Sequence, residues 1–189
     1  MILKLVDIYK NRKVLEDLIG CREELFNYEQ HRECALVNAR QICDSDNPDD
    51  RENVFGIYHN EKCLGITGLW YEDHVVLKDL ALLRWTSLRL PYRGMRLSPY
   101  IVNLITKKAL AKKRSMLVEI AHTEGARDTF THLGFKLIEN NDRYADALIC
   151  VLGESNGSYV LTRPIVDGFT YDWELIYNLA ETFRKGQQK

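Results

Sequence analysis

No long apolar run occurs in this chain. The longest is Ala147–Leu152, well short of the ~18–20 residues a membrane-spanning helix needs. Neither sign of charge prevails: 26 basic and 27 acidic residues leave a formal net charge of -1. That balance argues against a nucleic acid or an anionic membrane as a partner held by bulk charge. Cysteines are few and unpatterned. The five (Cys21, Cys34, Cys43, Cys63 and Cys150) are odd in number and form no Cys-x-x-Cys, which speaks against a disulfide framework or a structural zinc site. Free thiols in a reducing compartment, hence a cytoplasmic protein, are the expectation. The opening Met1–Ile8 lacks the basic start and extended apolar core of a secretion signal, and reads as a first strand. Internal repeats and low-complexity tracts are also missing. What is present is 46% hydrophobic residues over 189 positions, enough for one packed core and a single domain, 1–189.

The apolar pattern then sets out the elements. Asn11 is placed to cap a helix in which Leu15, Leu18, Arg22, Leu25 and Phe26 recur at helical spacing. A second helix is expected over 31–42, with Cys34, Val37 and Ile42 on its apolar face. Residues 43–52 read as an acidic loop; no glycine completes an Asp-x-Asp-x-Asp-Gly pattern, so calcium is not expected there. A hairpin follows, with strands at 54–58 and 63–71 and a turn at His59-Asn60-Glu61-Lys62. Gly65 and Gly68 inside its second strand predict a bulge or a close backbone approach. An apolar stretch over 75–88 leads to a helix for which Ser98 is a good N-cap and Pro99 a good first residue. Its apolar face would carry Ile101, Val102, Leu104, Ile105, Ala109 and Leu110, and lysines crowd its C-terminal end. A strand over 116–121, a short helix over 125–133 ending at Gly134, and a strand over 135–138 come next. Asn156-Gly157 predicts a hairpin between 147–152 and 159–162, and 173–183 a last helix.

The segment Tyr92-Arg93-Gly94-Met95-Arg96-Leu97-Ser98 carries the chemistry. A helix start placed directly after a strand offers unpaired N–H groups and the positive end of the helix dipole. Gly94 permits a tight turn, and Arg93 and Arg96 add positive charge, an environment suited to a diphosphate. The alternative is an ordinary strand-to-helix loop with surface arginines.

The order strand, Tyr-Arg-Gly loop, amphipathic helix, strand, short helix, Leu-Gly-Phe, strand resembles the GNAT superfamily of acyl-CoA-dependent N-acetyltransferases. Tyr92, Arg93, Gly94 and the aliphatic Leu97 match the family's pyrophosphate loop; Arg96 and Ser98 stand where it has glycine or alanine. Ala126, Thr129-Phe130-Thr131-His132-Leu133-Gly134-Phe135 match its Ala-x-x-Phe-Tyr-x-x-x-Gly-Phe signature, with Phe130 at the tyrosine. The likeness covers about residues 53–138.

The resemblance implies an α/β fold, a mixed and mostly antiparallel sheet with one splayed parallel pair, flanked by helices. Residues 1–52 would supply the first strand and two helices, 53–138 the acyl-CoA-binding core, and 139–189 the C-terminal strands and helix. It implies that acetyl-CoA binds as co-substrate on the amides of Arg93, Gly94, Met95, Arg96, Leu97 and Ser98, its pantetheine arm between the strands ending near 88 and spanning 116–121. A backbone N–H of the fourth strand would polarise the acyl carbonyl, and no metal is needed. The family's usual acid is missing, because Phe130 has no hydroxyl to donate. His122, Glu119 and Asp79 are the candidate bases. Tyr28, Trp70, Tyr71, Trp85 and Tyr144 are candidates for lining an acceptor pocket, core packing being the commoner role of such residues. The partners implied are an amine-bearing acceptor, small molecule or protein, and a second copy of the chain in a homodimer. A fold of this type that binds coenzyme or a partner without turnover is the alternative.

Overall fold

The computed structural model describes residues 3–71, 80–114, 116–121, 123–133, 135, 144–151 and 158–164, with backbone alone at 80, 116, 118–121, 144–151 and 158–164. Two compact units emerge, residues 1–70 with 83–108 and residues 71–82 with 109–189.

The first unit holds β1 (Leu3–Asp7), β2 (Val54–His59), β3 (Lys62–Tyr71) as far as Trp70 and β4 (Leu80–Leu88) from Leu83 on, side by side in that order. β1 and β2 are antiparallel, from Leu3 opposite His59 to Asp7 opposite Phe55. The β2–β3 hairpin closes through Asn60 and Glu61, and Asn60 takes the left-handed φ of +54° that asparagine tolerates in a turn. Its register slips by one residue: Ile57 faces Gly65 but Tyr58 faces Cys63, leaving Leu64 as a bulge. The predicted close approach is at Gly65, where any Cβ would fall 2.2 Å from the Ser87 carbonyl oxygen. β4 runs antiparallel to β3, since Arg89 N–H donates to Leu64 O (2.8 Å) and Thr67 meets Thr86 through their hydroxyls (2.9 Å).

Two helices cover this sheet. α1 (Arg12–Gly20) starts at Asn11, whose side chain accepts the Val14 N–H, as the sequence predicts. It stops earlier than the apolar spacing suggests. A short 3-10 turn at Arg22–Glu24 follows, and Leu25 is fully buried from beyond the helix. α2 (Glu29–Asp44) buries Ala35, Leu36, Ala39, Ile42 and Cys43, spacings of one, four, seven and eight. Of the predicted stripe only Ile42 is buried, for Val37 faces solvent and Cys34 is half-buried. Ile8, Val14, Leu15, Leu18, Leu25, Leu36, Val54 and Ile66 join in one core. The acidic loop uses its carboxylates on its own neighbours: Asp44 on Arg12, Asp46 on Lys10 and Asp50 on the Ser45 hydroxyl.

α3 (Ser98–Ala111) buries a narrower stripe than predicted, Ile101, Ile105 and Ala109 behind Leu97, with Leu110 exposed. Towards its C-terminal end Lys108 pairs with Glu52.

The second unit holds β5 (Met116–Ala121), β6 (Tyr144–Val151) and β7 (Ser158–Pro164), an antiparallel meander. α4 (Glu124–His132) packs on β5 and β6 and is capped by Thr123, whose hydroxyl accepts the Ala126 N–H at 3.2 Å. The hairpin expected around Asn156-Gly157 is present as the β6–β7 pair. Gly134, the strand at 136–138, the turn at 152–157 and the helix at 173–183 fall outside the described residues. No helix among the described residues is long and apolar enough to cross a membrane. Cys21, Cys34, Cys43 and Cys63 are free thiols.

Candidate functional site

β4 leads into the site and is not regular on the way. Trp85 has φ +56° in mid-strand, a left-handed conformation that costs a β-bulky residue about 1–2 kcal/mol and persists only where its surroundings impose it. Part of that surrounding is the Arg84 guanidinium, 4.8 Å from the Trp70 ring centroid and 4.9 Å from that of Trp85.

Past β4 the chain makes a 3-10 turn at Leu90–Tyr92. Tyr92 is fixed there by two cations, Lys62 at 5.3 Å and Arg89 at 5.6 Å from its ring centre. Gly94 then turns at φ +75° and Arg96 at φ +56°. No atom would obstruct a Cβ on Gly94, so glycine is needed for its φ and not for space. Leu97 is buried and anchors the helix start, whereas Met95 and Tyr100 are 57% and 58% exposed.

The first helical carbonyl is that of Leu97, which accepts from Tyr100 and Ile101 N–H, both at 3.1 Å. Leu97 is therefore the cap residue. Ser98, read as the N-cap, sits one position inside, because burial of Leu97 sets the frame. Its hydroxyl makes no hydrogen bond among the described residues, and neither do the N–H groups of Gly94, Met95, Arg96, Leu97 and Ser98. No acidic residue occupies the first turn of α3. Five successive donors at the positive end of a 14-residue helix thus lack an acceptor among the described residues, the electrostatic requirement for an anion.

The charges around this loop are not those expected. Arg93 turns away from the amides: its Nε donates to Leu88 O (2.8 Å), its Nη2 to Glu24 O (3.2 Å) and its Nη1 to Asn27 Oδ1. Burial lowers its pKa from the ordinary guanidinium value, without discharging it at neutral pH. Arg89 forks onto Glu24, Nε to Oε2 at 2.8 Å and Nη2 to Oε1 at 2.9 Å, and reaches Cys63 O with Nη1 at 3.0 Å. The ion pair raises Arg89 and holds the Glu24 carboxyl below its usual range. Arg96 remains as the exposed guanidinium of the loop, without a partner among the described residues.

Of the candidate bases, Asp79 and His122 lie outside the described residues. Glu119 is on β5 opposite Leu148 in the β6 register, its side chain not described. Phe130 is buried on α4 with its ring edge-on to Phe135 at 5.1 Å. Among the aromatics, Tyr28 is exposed and edge-on to His31 at 5.4 Å. Trp70 and Trp85 flank Arg84. Tyr71 meets Arg114 at 5.6 Å, and the Tyr144 side chain is not described. Sequence reasoning missed Glu24, Arg89 and the Trp85 backbone. Glu24 and Arg89 are 65 positions apart, and no local pattern pairs them.

No family model matches the sequence, and no curated protein matches it. Solved structures do. The PaiA N-acetyltransferase of Thermoplasma acidophilum, in complex with coenzyme A, aligns with a TM-score of 0.61 at 13% identity over 80% of this chain and 99% of its own. A "probable acetyltransferase" of Staphylococcus epidermidis ATCC 12228 aligns at 0.60 with 17% identity over 79% and 98%. An aminoglycoside 6'-acetyltransferase type Ii aligns at 0.59 with 12% identity over 80% and 97%. With an antiparallel sheet, flanking helices and an open helix start after β4, the chain has the fold of the GNAT acyl-CoA N-acyltransferases.

Proposed function

We propose that this protein is an acyl-CoA-dependent N-acyltransferase that moves an acetyl group from acetyl-CoA to a primary amine. The observation that carries this reading is the open start of α3, where the amides of 94–98 have no acceptor among the described residues. A diphosphate supplies the acceptors they lack. The coenzyme A bound to the Thermoplasma protein of the same fold is a ligand with that group.

In the reaction the amine nitrogen forms a bond to the thioester carbonyl carbon and the carbon–sulfur bond breaks. The ammonium proton lost before attack goes to a base, for which Asp79, Glu119 and His122 are the candidates. The nitrogen sheds a second proton, to solvent or the same base, as the tetrahedral intermediate collapses to the amide, and the departing thiolate takes one up. Phe130 cannot give it, so solvent or another residue does. A backbone N–H of β4 polarises the acyl carbonyl. No metal takes part in this scheme. The free thiols support a reducing, cytoplasmic setting.

The acceptor is an amine on a small molecule or a protein. The test is release of free thiol from acetyl-CoA with a panel containing a diamine, an aminoglycoside and a lysine-bearing peptide. Thiol release above the hydrolytic background with at least one amine supports the enzyme. A second reading, coenzyme binding without turnover, is favoured by Phe130, which stands at the tyrosine of the signature it resembles and is buried edge-on to Phe135. It predicts binding of coenzyme A with no amine-dependent thiol release.

A further inference from the structure

Arg93 stands one residue before Gly94, at the entrance to the open amides, yet all its described donors serve another segment or the end of its own strand. Leu88 O, Glu24 O and Asn27 Oδ1 receive them. Glu24 is held twice, by Arg93 at its carbonyl and by Arg89 at its carboxylate. Between these anchors Phe26 has φ +56° and donates its N–H to the Ser87 hydroxyl at 2.9 Å. Segment 24–27 is thus bonded to the end of β4 and the root of the loop at Glu24, Phe26 and Asn27. A planar guanidinium bonded along several directions behaves as a rigid strut, unlike a flexible ammonium.

Building on the coenzyme reading above, we propose that Arg93 is a positioning residue, a strut that couples occupancy of the 94–98 amides to the conformation of segment 24–28. An anion drawn onto those amides fixes the backbone of residues 94–96, and with it the direction in which the chain leaves Arg93. The fork passes that constraint to the Glu24 carbonyl and the Asn27 side chain. The receiving segment lies between a 3-10 turn and α2 and ends at Tyr28, exposed and edge-on to His31. Coupling of this kind is reciprocal, so ordering of 24–28 tightens the loop for its ligand.

Hydrogen exchange by mass spectrometry, with and without saturating coenzyme A, tests this. In the wild type, coenzyme A is expected to slow exchange of amides 25–28 on the order of fivefold or more. Arg93→Met abolishes that response and changes coenzyme affinity by no more than about the same factor. Arg93→Lys keeps the charge but not the fork, and does not restore the response. Asn27→Ala removes one exposed acceptor without touching the core, and weakens the response in a chain that stays folded. Arg96→Met leaves the response intact while lowering affinity. Coenzyme binding that leaves amides 25–28 unchanged in the wild type overturns the coupling alone. So does an Arg93→Met variant that loses affinity at least as severely as Arg96→Met while its amides 25–28 still respond. Failure of the wild type to bind coenzyme A overturns the coenzyme reading and the coupling with it.

Discussion

At the start of α1 the Asn11 side chain takes the Val14 N–H, and at the start of α4 the Thr123 hydroxyl takes that of Ala126, with Glu124 adding a negative charge. At the start of α3 Leu97 has nothing to offer, Ser98 is one residue too late, and no acid stands in the first turn. A missing side-chain cap costs a helix about 1 kcal/mol. The chain tolerates this at α3, and does so with two left-handed residues, Gly94 and Arg96, immediately before it. α2 also lacks a side-chain cap at Tyr28 but carries Glu29 in its first turn, so among the described α-helices the contrast is sharpest between the capped starts of α1 and α4 and the uncapped start of α3.

The contrast can be broken by closing the open end. Ser98→Asp places a carboxylate among the vacant amides. Affinity for coenzyme A should fall by on the order of thirtyfold or more, while the melting temperature holds or rises, because an acid in the first turn contributes about 0.3–1 kcal/mol. Isothermal titration and thermal unfolding of the same sample check both halves.

Gly94→Val acts on the turn and not on the charge. A β-branched residue at φ +75° is strained although its Cβ meets no atom. Coenzyme affinity should drop about tenfold, or ~1.4 kcal/mol, with the circular dichroism spectrum unchanged.

Side-chain caps should respond oppositely at the two kinds of helix start. Thr123→Ala should cost about 1 kcal/mol in denaturant unfolding, with no change in coenzyme binding. Ser98→Ala should cost less than about 0.5 kcal/mol, since Ser98 caps nothing. Equal losses at the two positions would erase the distinction.

The smallest effect concerns pH. The hydrogen bonds from Arg89 depress the Glu24 pKa in the folded chain. Its contribution is therefore complete above the ordinary glutamate pKa of about 4.3 and is lost as pH falls through the lower folded value. Glu24→Gln should flatten the acid limb of a plot of stability against pH, and leave the neutral region unchanged apart from the loss of the pair.

What the sequence disclosed follows the range of the interactions. Asn11 before an apolar period, the turn at Asn60-Glu61, and Gly94 with Pro99 ahead of an apolar helix are local signals, and the elements they mark are present. The burial stripe of α2 was not legible from Cys34 and Val37, because the small Ala35 and Ala39 are the buried residues, and size gave them no weight as core residues. The side-chain partners of Arg93 were not legible for a different reason. Beside a glycine loop it looks like a phosphate ligand, but its partners Glu24 and Asn27 are 69 and 66 residues away. The left-handed backbone of Trp85 has no counterpart in composition or period at all. The helix start could be read in the sequence; the bonds from Arg93 to Glu24 and Asn27 could not.

The most direct measurement of the central claim is a titration of isotopically labelled protein with coenzyme A, followed by amide nitrogen–proton NMR. The account predicts that the largest shift changes fall on Gly94 to Ser98, with a smaller set at 25–28, and that the Val14 and Ala126 amides at the capped helix starts stay still. Saturable binding that leaves the amides of 94–98 unmoved would contradict it.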